Sequence, residues 1–169
     1  MALFTCRFVA TLVCASPVHR QIRWLSKFDV LGNSLVPAKK QRLVPTSGTY
    51  PQGFLVGSTN VGLKPASKDQ PDLVLVASDK PSCGAAVLTK NEFPAASITV
   101  TREIVRKTKG HGLRGVIVNS GCANTLTGKA GLEDAGAMSK EADKYVSGET
   151  GAQAGSSIMV MHTGVGGQR

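Results

Sequence analysis

Residues 114–134, RGVIVNSGCANTLTGKAGLED, constrain what this chain can fold into more than any other stretch. Val116, Ile117 and Val118 are a short run of β-branched side chains, which predicts a buried strand. Asn119, Ser120 and Gly121 are turn formers and predict its end. A polar loop follows, spaced by Asn124, Thr127, Gly128 and Gly131. Glu133 and Asp134 then fall where the first turn of a helix belongs, because carboxylates are favoured at the positive end of the helix dipole. The unit is therefore strand, long polar loop, helix. In α/β proteins, loops at the carboxyl ends of strands are where ligands and chemistry collect.

Phosphate binding is the first function such a unit suggests, and the spacing argues against it. A P-loop places four residues between its first glycine and a Gly-Lys pair, then a hydroxyl for the metal. Here six residues separate Gly121 from Gly128, and Ala130 follows Lys129. The backbone nest has the wrong size and the metal-binding hydroxyl is missing.

The rest of the chain supplies further strands and helices. Residues 36–62 are rich in turn formers, and Phe54-Leu55-Val56 among them predicts an edge strand. Residues 72–78, DLVLVAS, predict a second strand, and residues 85–89 a third that pairs with it as a hairpin. Ile98 and Val100 alternate with polar neighbours and predict another strand. Thr101 then reads as the N-cap of a short helix through Lys107, which Gly110-His111-Gly112 ends. His111, between glycines in a basic turn, reads as an exposed turn residue. A longer helix spans residues 132–146, with Leu132, Ala135, Met138 or Ser139, Ala142 and Tyr145-Val146 on one face. Gly148 ends it, and a Gly/Ala/Ser linker runs to Ser156. The strands at 72–78, 114–119 and 157–163 read as fully buried, which requires layers on both faces of the sheet. One long helix and one short one do not cover both.

The last segment, residues 157–169, reads SIMVMHTGVGGQR. Residues 158–161 predict a buried strand that ends at a glycine-rich turn. Gly164-x-Gly166 begins a dinucleotide fingerprint, but Arg169 stands where its third glycine belongs. One reading of the turn is a need for positive φ. The other is an anion hole: the Thr163 hydroxyl and the Gly164 amide offer two donors to one developing oxyanion at a strand end.

Composition bounds the function classes. At 169 residues, with 41% hydrophobic residues and mean hydropathy near zero, the chain suits one globular domain with a real core. No apolar run reaches the roughly 18 residues of a membrane span. The net charge of +9 invites a nucleic-acid reading, yet four of the twenty basic residues (Arg7, Arg20, Arg23, Lys27) lie in the acid-free first 28 positions. The rest form small groups such as Arg106-Lys107-Lys109, with no interleaved aromatics for base stacking, so they read as solvated faces. Neither nucleic acid nor membrane is an expected partner. Residues 1–27 read as a mitochondrial transit peptide: basic residues continue past the apolar stretch, where a secretory signal would hold its charge before it. Cys6 and Cys14 leave with that peptide. Cys83 and Cys122 remain, outside any C-x-x-C or Cys/His ligand pattern, so neither a zinc site nor a disulfide framework is expected. Cys83, beside Gly84-Ala85-Ala86, reads as a small buried residue. Cys122, in the polar loop, is a candidate nucleophile with only His111 nearby in sequence to serve it.

Four segments, KKQRLVPTSGTYPQGFLVG, PDLVLVASDKPSCGAAVLT, VIVNSGCANTLTGKAGLEDA and MHTGVGGQ, resemble in order the matching blocks of the ornithine acetyltransferase family of arginine biosynthesis. The resemblance covers residues 37–169. The NSGCAN loop with its GLEDA helix start is the most specific block, and fungal mitochondrial members are the most similar.

The resemblance implies an α/β fold, a layered α/β sandwich similar to N-terminal-nucleophile enzymes and incomplete in this chain. Residues 28–169 would be its N-terminal, alpha-chain portion. It implies a glutamate N-acetyltransferase that moves acetyl from N-acetylornithine to glutamate through an acyl-enzyme; some members also use acetyl-CoA. The family cleaves itself, and the new N-terminal Thr of the second, beta chain becomes the nucleophile, with its own amine as base. The family's oxyanion pair falls on Thr163 and Gly164. The nucleophile and the substrate-binding residues lie past residue 169, so this chain alone is expected to be inactive. No metal or organic cofactor is implied. The implied partner is the beta chain, in a heterotetramer of two alpha and two beta chains in the mitochondrial matrix. The chain departs from the family's pattern at His162, where Ser is usual, and at Gly166, where a β-branched residue is usual. More backbone freedom at Gly166 would loosen the oxyanion turn. Two other classes remain as alternatives: a small nucleotide-binding α/β module resting on the two glycine-rich loops, and a non-catalytic fragment that only associates with other chains.

Overall fold

The computed structural model describes residues 39, 42–43, 51–63, 71–147 and 157–167; the expected transit peptide and the 148–156 linker lie outside them. Among the described residues the elements follow in the order β1 (Phe54–Thr59), β2 (Leu73–Ser82), α1 (Ala96–Thr108), β3 (Leu113–Cys122), α2 (Gly128–Ser147) and β4 (Ile158–Val165). They form one mixed sheet, ordered β1-β2-β3-β4. β2 is antiparallel to both of its neighbours, β1 and β3, whereas β3 and β4 are parallel. Parallel neighbours need a long crossover, and the 20-residue α2 supplies it.

The pairing register sorts the side chains. Leu73, Leu75, Ile117, Ile158 and Val160 share one face, and Met138 and Ala142 of α2 close over them as the core. α1 lies on the same side, against α2 and β4, and buries Ala96, Thr101 and Ile104. The opposite face carries Val56, Val74, Val76, Val116, Val118, Met159 and Met161. Neither helix covers it: the valines are half-buried and Met161 is 56% exposed.

Side chains from the helices also finish the edge of the sheet. The Thr101 hydroxyl donates to the Val160 carbonyl at 2.8 Å and accepts from the Val160 N–H at 3.0 Å. Ser139 donates to the Ile158 carbonyl at 2.6 Å. An unpaired strand edge is costly when buried and a template for aggregation when exposed. These hydroxyls occupy part of it. Two buried carboxylates tie the connections down. Asp72 accepts the N–H groups of Val61 and Leu63 at 2.7 and 2.6 Å. Asp143 accepts hydroxyls from Ser147, at the end of α2, and from Ser157, just before β4.

Several local expectations are corrected. Residues 85–89 form no strand, because β2 is already paired on both sides, by β1 and β3. Ile98 and Val100 belong to the opening turns of α1, not to a strand. Thr101 is not the N-cap; that position is Ala95, and Thr101 is buried in mid-helix with its hydroxyl on β4. β3 does not stop at Asn119 but runs on to Cys122, because β4 accompanies it through Val165. α2 starts at Gly128, so Glu133 and Asp134 lie beyond its first turn, which holds no acid. Cys83 is exposed, not buried.

Candidate active site

The two glycine-rich segments, separated by some forty residues in the sequence, lie side by side at the carboxyl ends of β3 and β4. Asn119 pairs with His162, Ser120 with Thr163, Gly121 with Gly164 and Cys122 with Val165. Beyond the strands, the Ala123 N–H donates to the Val165 carbonyl at 2.9 Å and the Gly167 N–H to the Thr125 carbonyl at 2.8 Å. These two bonds bracket Gly166, so the freedom expected of that glycine is restrained.

Thr163 and Gly164 are thus strand residues and not a turn. Gly164 has φ +129, and a Cβ there would lie 2.4 Å from the backbone of Gly121. Only glycine permits β3 and β4 to approach so closely. Thr163 is exposed and shares the face of Met159 and Met161, the one that the helices leave open. Along β4 the backbone groups of Ile158 and Val160 point away from β3, toward Ser139 and Thr101. Continued two residues at a time, this alternation puts the Gly164 N–H on the same outer side.

His162 turns the other way, beneath α2. Its Nε2 lies 3.2 Å from the Met138 sulfur. Its Nδ1 is buried without a partner, as is the Oδ1 of Asn119, its register neighbour. Burial pushes the imidazole pKa down to about 4, and the nearby Asp134 carboxylate only partly opposes it. The imidazole therefore stays neutral at physiological pH.

Asn124 organises the loop between the two strand ends, a role hidden in a sequence where it reads as one polar spacer among several. It adopts φ +52. Its Nδ2 donates to the Gly131 carbonyl at 2.8 Å, its Oδ1 accepts the Thr127 hydroxyl at 2.6 Å, and its own carbonyl accepts the Ala96 N–H at 3.1 Å. The side chain thereby ties the loop to the start of α2, and the backbone carbonyl of the same residue ties it to the start of α1. A groove of about 290 Å³ opens beside it, lined by Glu92, Phe93, Ala96, Leu126 and Leu132 among others; neither Thr163 nor Gly164 reaches it. Cys122 is half-buried at the end of β3, and His111 lies against Cys83 instead. The Cys122 nucleophile reading therefore loses its histidine. Among the described residues no three His, Cys, Asp or Glu side chains converge to hold a metal, and no helix is long and apolar enough to cross a membrane.

A mixed sheet with helices packed on one face, and polar loops gathered at the carboxyl ends of its parallel strands, defines an α/β protein whose candidate site sits at those ends. The model of the ArgJ family matches residues 55–169, and the chain belongs to that family. It is 61% identical over 171 residues to the arginine biosynthesis bifunctional protein ArgJ 2, mitochondrial, of Sclerotinia sclerotiorum, covering 99% of this chain and 35% of that protein. It is 48% identical over 172 residues to ArgJ 1, mitochondrial, of Botryotinia fuckeliana, covering 100% of this chain and 36% of that one. Among solved structures, ornithine acetyltransferase of Mycobacterium tuberculosis complexed with ornithine superposes with a TM-score of 0.61 at 33% identity, over 70% of this chain and 60% of that chain. The Bacillus halodurans ArgJ structure gives a TM-score of 0.57 at 36% identity, over 69% and 56%. The chain thus spans about a third of the length of the curated relatives it matches.

Proposed function

We propose that residues 28–169 are the alpha-chain portion of a glutamate N-acetyltransferase of arginine biosynthesis, carried to the mitochondrial matrix by a transit peptide at residues 1–27. The observation that carries the reading is the place of Thr163. It is an exposed hydroxyl at the carboxyl end of a parallel strand, on the face that the helices leave open, beside a glycine held in close contact with β3.

In this reading the acetyl group of N-acetylornithine is attacked by a Thr at the start of the beta chain, outside this chain, with that residue's own amine as base. The tetrahedral intermediate places a negative charge on the former carbonyl oxygen. The Thr163 hydroxyl and the Gly164 N–H donate to it, fixed in advance by the β3–β4 pairing, so little reorganisation is needed when the charge develops. Collapse expels ornithine and leaves an acyl-enzyme. The amine of glutamate then attacks through the same oxyanion. Acetyl-CoA enters as a second acetyl donor by the same two steps. The two chains assemble as a heterotetramer of two alpha and two beta chains.

The test is Thr163→Ala in the full-length protein. Turnover of N-acetylornithine and glutamate should fall by ~10²–10³, while stability changes by no more than about 1 kcal/mol, since an exposed hydroxyl is removed. A kcat within about twofold of the parent would show that Thr163 donates nothing to the oxyanion.

A further inference from the structure

At the opposite end of the sheet from Thr163, the thiol of Cys83 lies 3.4 Å from Nδ1 of His111. Cys83 is exposed. The pair is held in place from both flanks. On one side the Ser82 hydroxyl donates to the Leu113 carbonyl at 2.9 Å; on the other the Gly84 N–H donates to the Gly110 carbonyl at 2.8 Å. The backbones touch here: with φ +75 at Gly110, a Cβ would sit 2.4 Å from the carbonyl oxygen of Gly84. His111 is itself fixed through its N–H to the Thr108 carbonyl at 3.0 Å. Thiol and imidazole therefore face each other across two segments stapled on either side of them.

Basic side chains outnumber acidic ones in the neighbouring sequence, where Asp79 adjoins Lys80. Lys80 lies three residues before Cys83 on β2, and Arg106, Lys107 and Lys109 close α1 and its left-handed cap just before His111. The only carboxylate of α1, Glu103, is taken by Lys107 at 2.6 Å.

We propose that Cys83 and His111 form a reactive thiol–imidazole pair that takes up small, carboxylate-bearing disulfides as a mixed disulfide. The Cys83 S–H proton passes to Nδ1 of His111 as the sulfur attacks one sulfur of the disulfide. The disulfide S–S bond breaks, a Cys83–S–S–R bond forms, and the departing thiolate recovers the proton as R–SH. The basic surround favours disulfides that carry negative charge over those that carry positive charge. The site is separate from the proposed acetyl-transfer centre, because Ser82 pairs with the first residue of β3 and Thr163 with one near its last.

The experiment exposes the full chain to 5,5′-dithiobis(2-nitrobenzoate), an anionic disulfide, and to cystamine, a cationic one. Mass spectrometry of the Cys83 peptide follows each reaction, with the urea-unfolded chain as reference. Native Cys83 should react with the anionic reagent about tenfold or more faster than unfolded Cys83, with cystamine gaining far less. His111→Gln, which leaves the backbone staples in place, should return the native rate to the unfolded one. A native rate at or below the unfolded rate, an unchanged rate in His111→Gln, or an equal gain with cystamine would each overturn the proposal.

Discussion

His162 shows how one side chain makes stability depend on pH. Its pKa falls from 6.5 to about 4 on folding, chiefly because the ring is buried. The unfolded chain therefore binds a proton between those two values that the folded chain refuses. Stability from this group is complete above about pH 6.5 and drains away as the pH falls toward about 4. The slope approaches about 1.4 kcal/mol per pH unit within that window. Urea midpoints measured at neutral and mildly acidic pH should diverge for the parent protein and converge for His162→Ser, which cannot take up the proton. Equal pH slopes in the two proteins would mean that His162 does not titrate across folding.

At the level of elements, the Thr101 hydroxyl makes two hydrogen bonds between α1 and the edge of β4. Thr101→Val keeps the shape but strands the N–H and carbonyl of Val160, which should cost about 1–3 kcal/mol in urea unfolding. Thr101→Ser, which keeps the hydroxyl, should recover most of that loss. The β3–β4 pair offers a matching test with glycines. Gly164→Ala forces a methyl group against the Gly121 backbone at 2.4 Å and should destabilise both strands, read as faster amide exchange along residues 158–165. Gly136, in α2, has nothing within 4 Å of where its Cβ would stand. Gly136→Ala should therefore stabilise the protein by about 0.5–1 kcal/mol, through helix propensity alone.

On the scale of the whole molecule, the bare face of the sheet is the dominant feature. Val56, Val74, Val76, Val116, Val118, Met159 and Met161 form a contiguous apolar surface with no layer over it among the described residues. Apolar patches of this kind drive association. The 169-residue chain alone should self-associate on size-exclusion chromatography and show no acetyl transfer. Co-expression with the C-terminal part of a full-length relative, beginning at its nucleophilic Thr, should restore both solubility and activity. A monomeric, cooperatively unfolding chain that turns over N-acetylornithine alone would contradict this.

What the sequence by itself determined is whatever depends on neighbours along the chain. The β-branched run 116–118, the Ala135, Met138 and Ala142 part of the α2 stripe and the polar, glycine-spaced loop between them were legible because strand and helix periodicity are local properties, whereas Leu132 and Tyr145, read into the same stripe, are exposed. So was the candidacy of Thr163 and Gly164, which rests on their chemistry and on the family resemblance. Only the tertiary structure decided what depends on residues far away. β3 and β4 outrun their turn formers because each supplies the other's hydrogen bonds through Cys122 and Val165. Residues 98 and 100 became helical because the face that α1 buries, with Val100, Thr101 and Ile104, recurs at helical spacing and packs on β4 and the core. Residues 85–89 lost their hairpin because β2 already had two partners. Cys83 met His111, and the Asn124 side chain met Gly131, through backbone contacts that no spacing in the sequence records. A strand's length, an edge's protection and a side chain's partner are set by pairing, and pairing belongs to the fold.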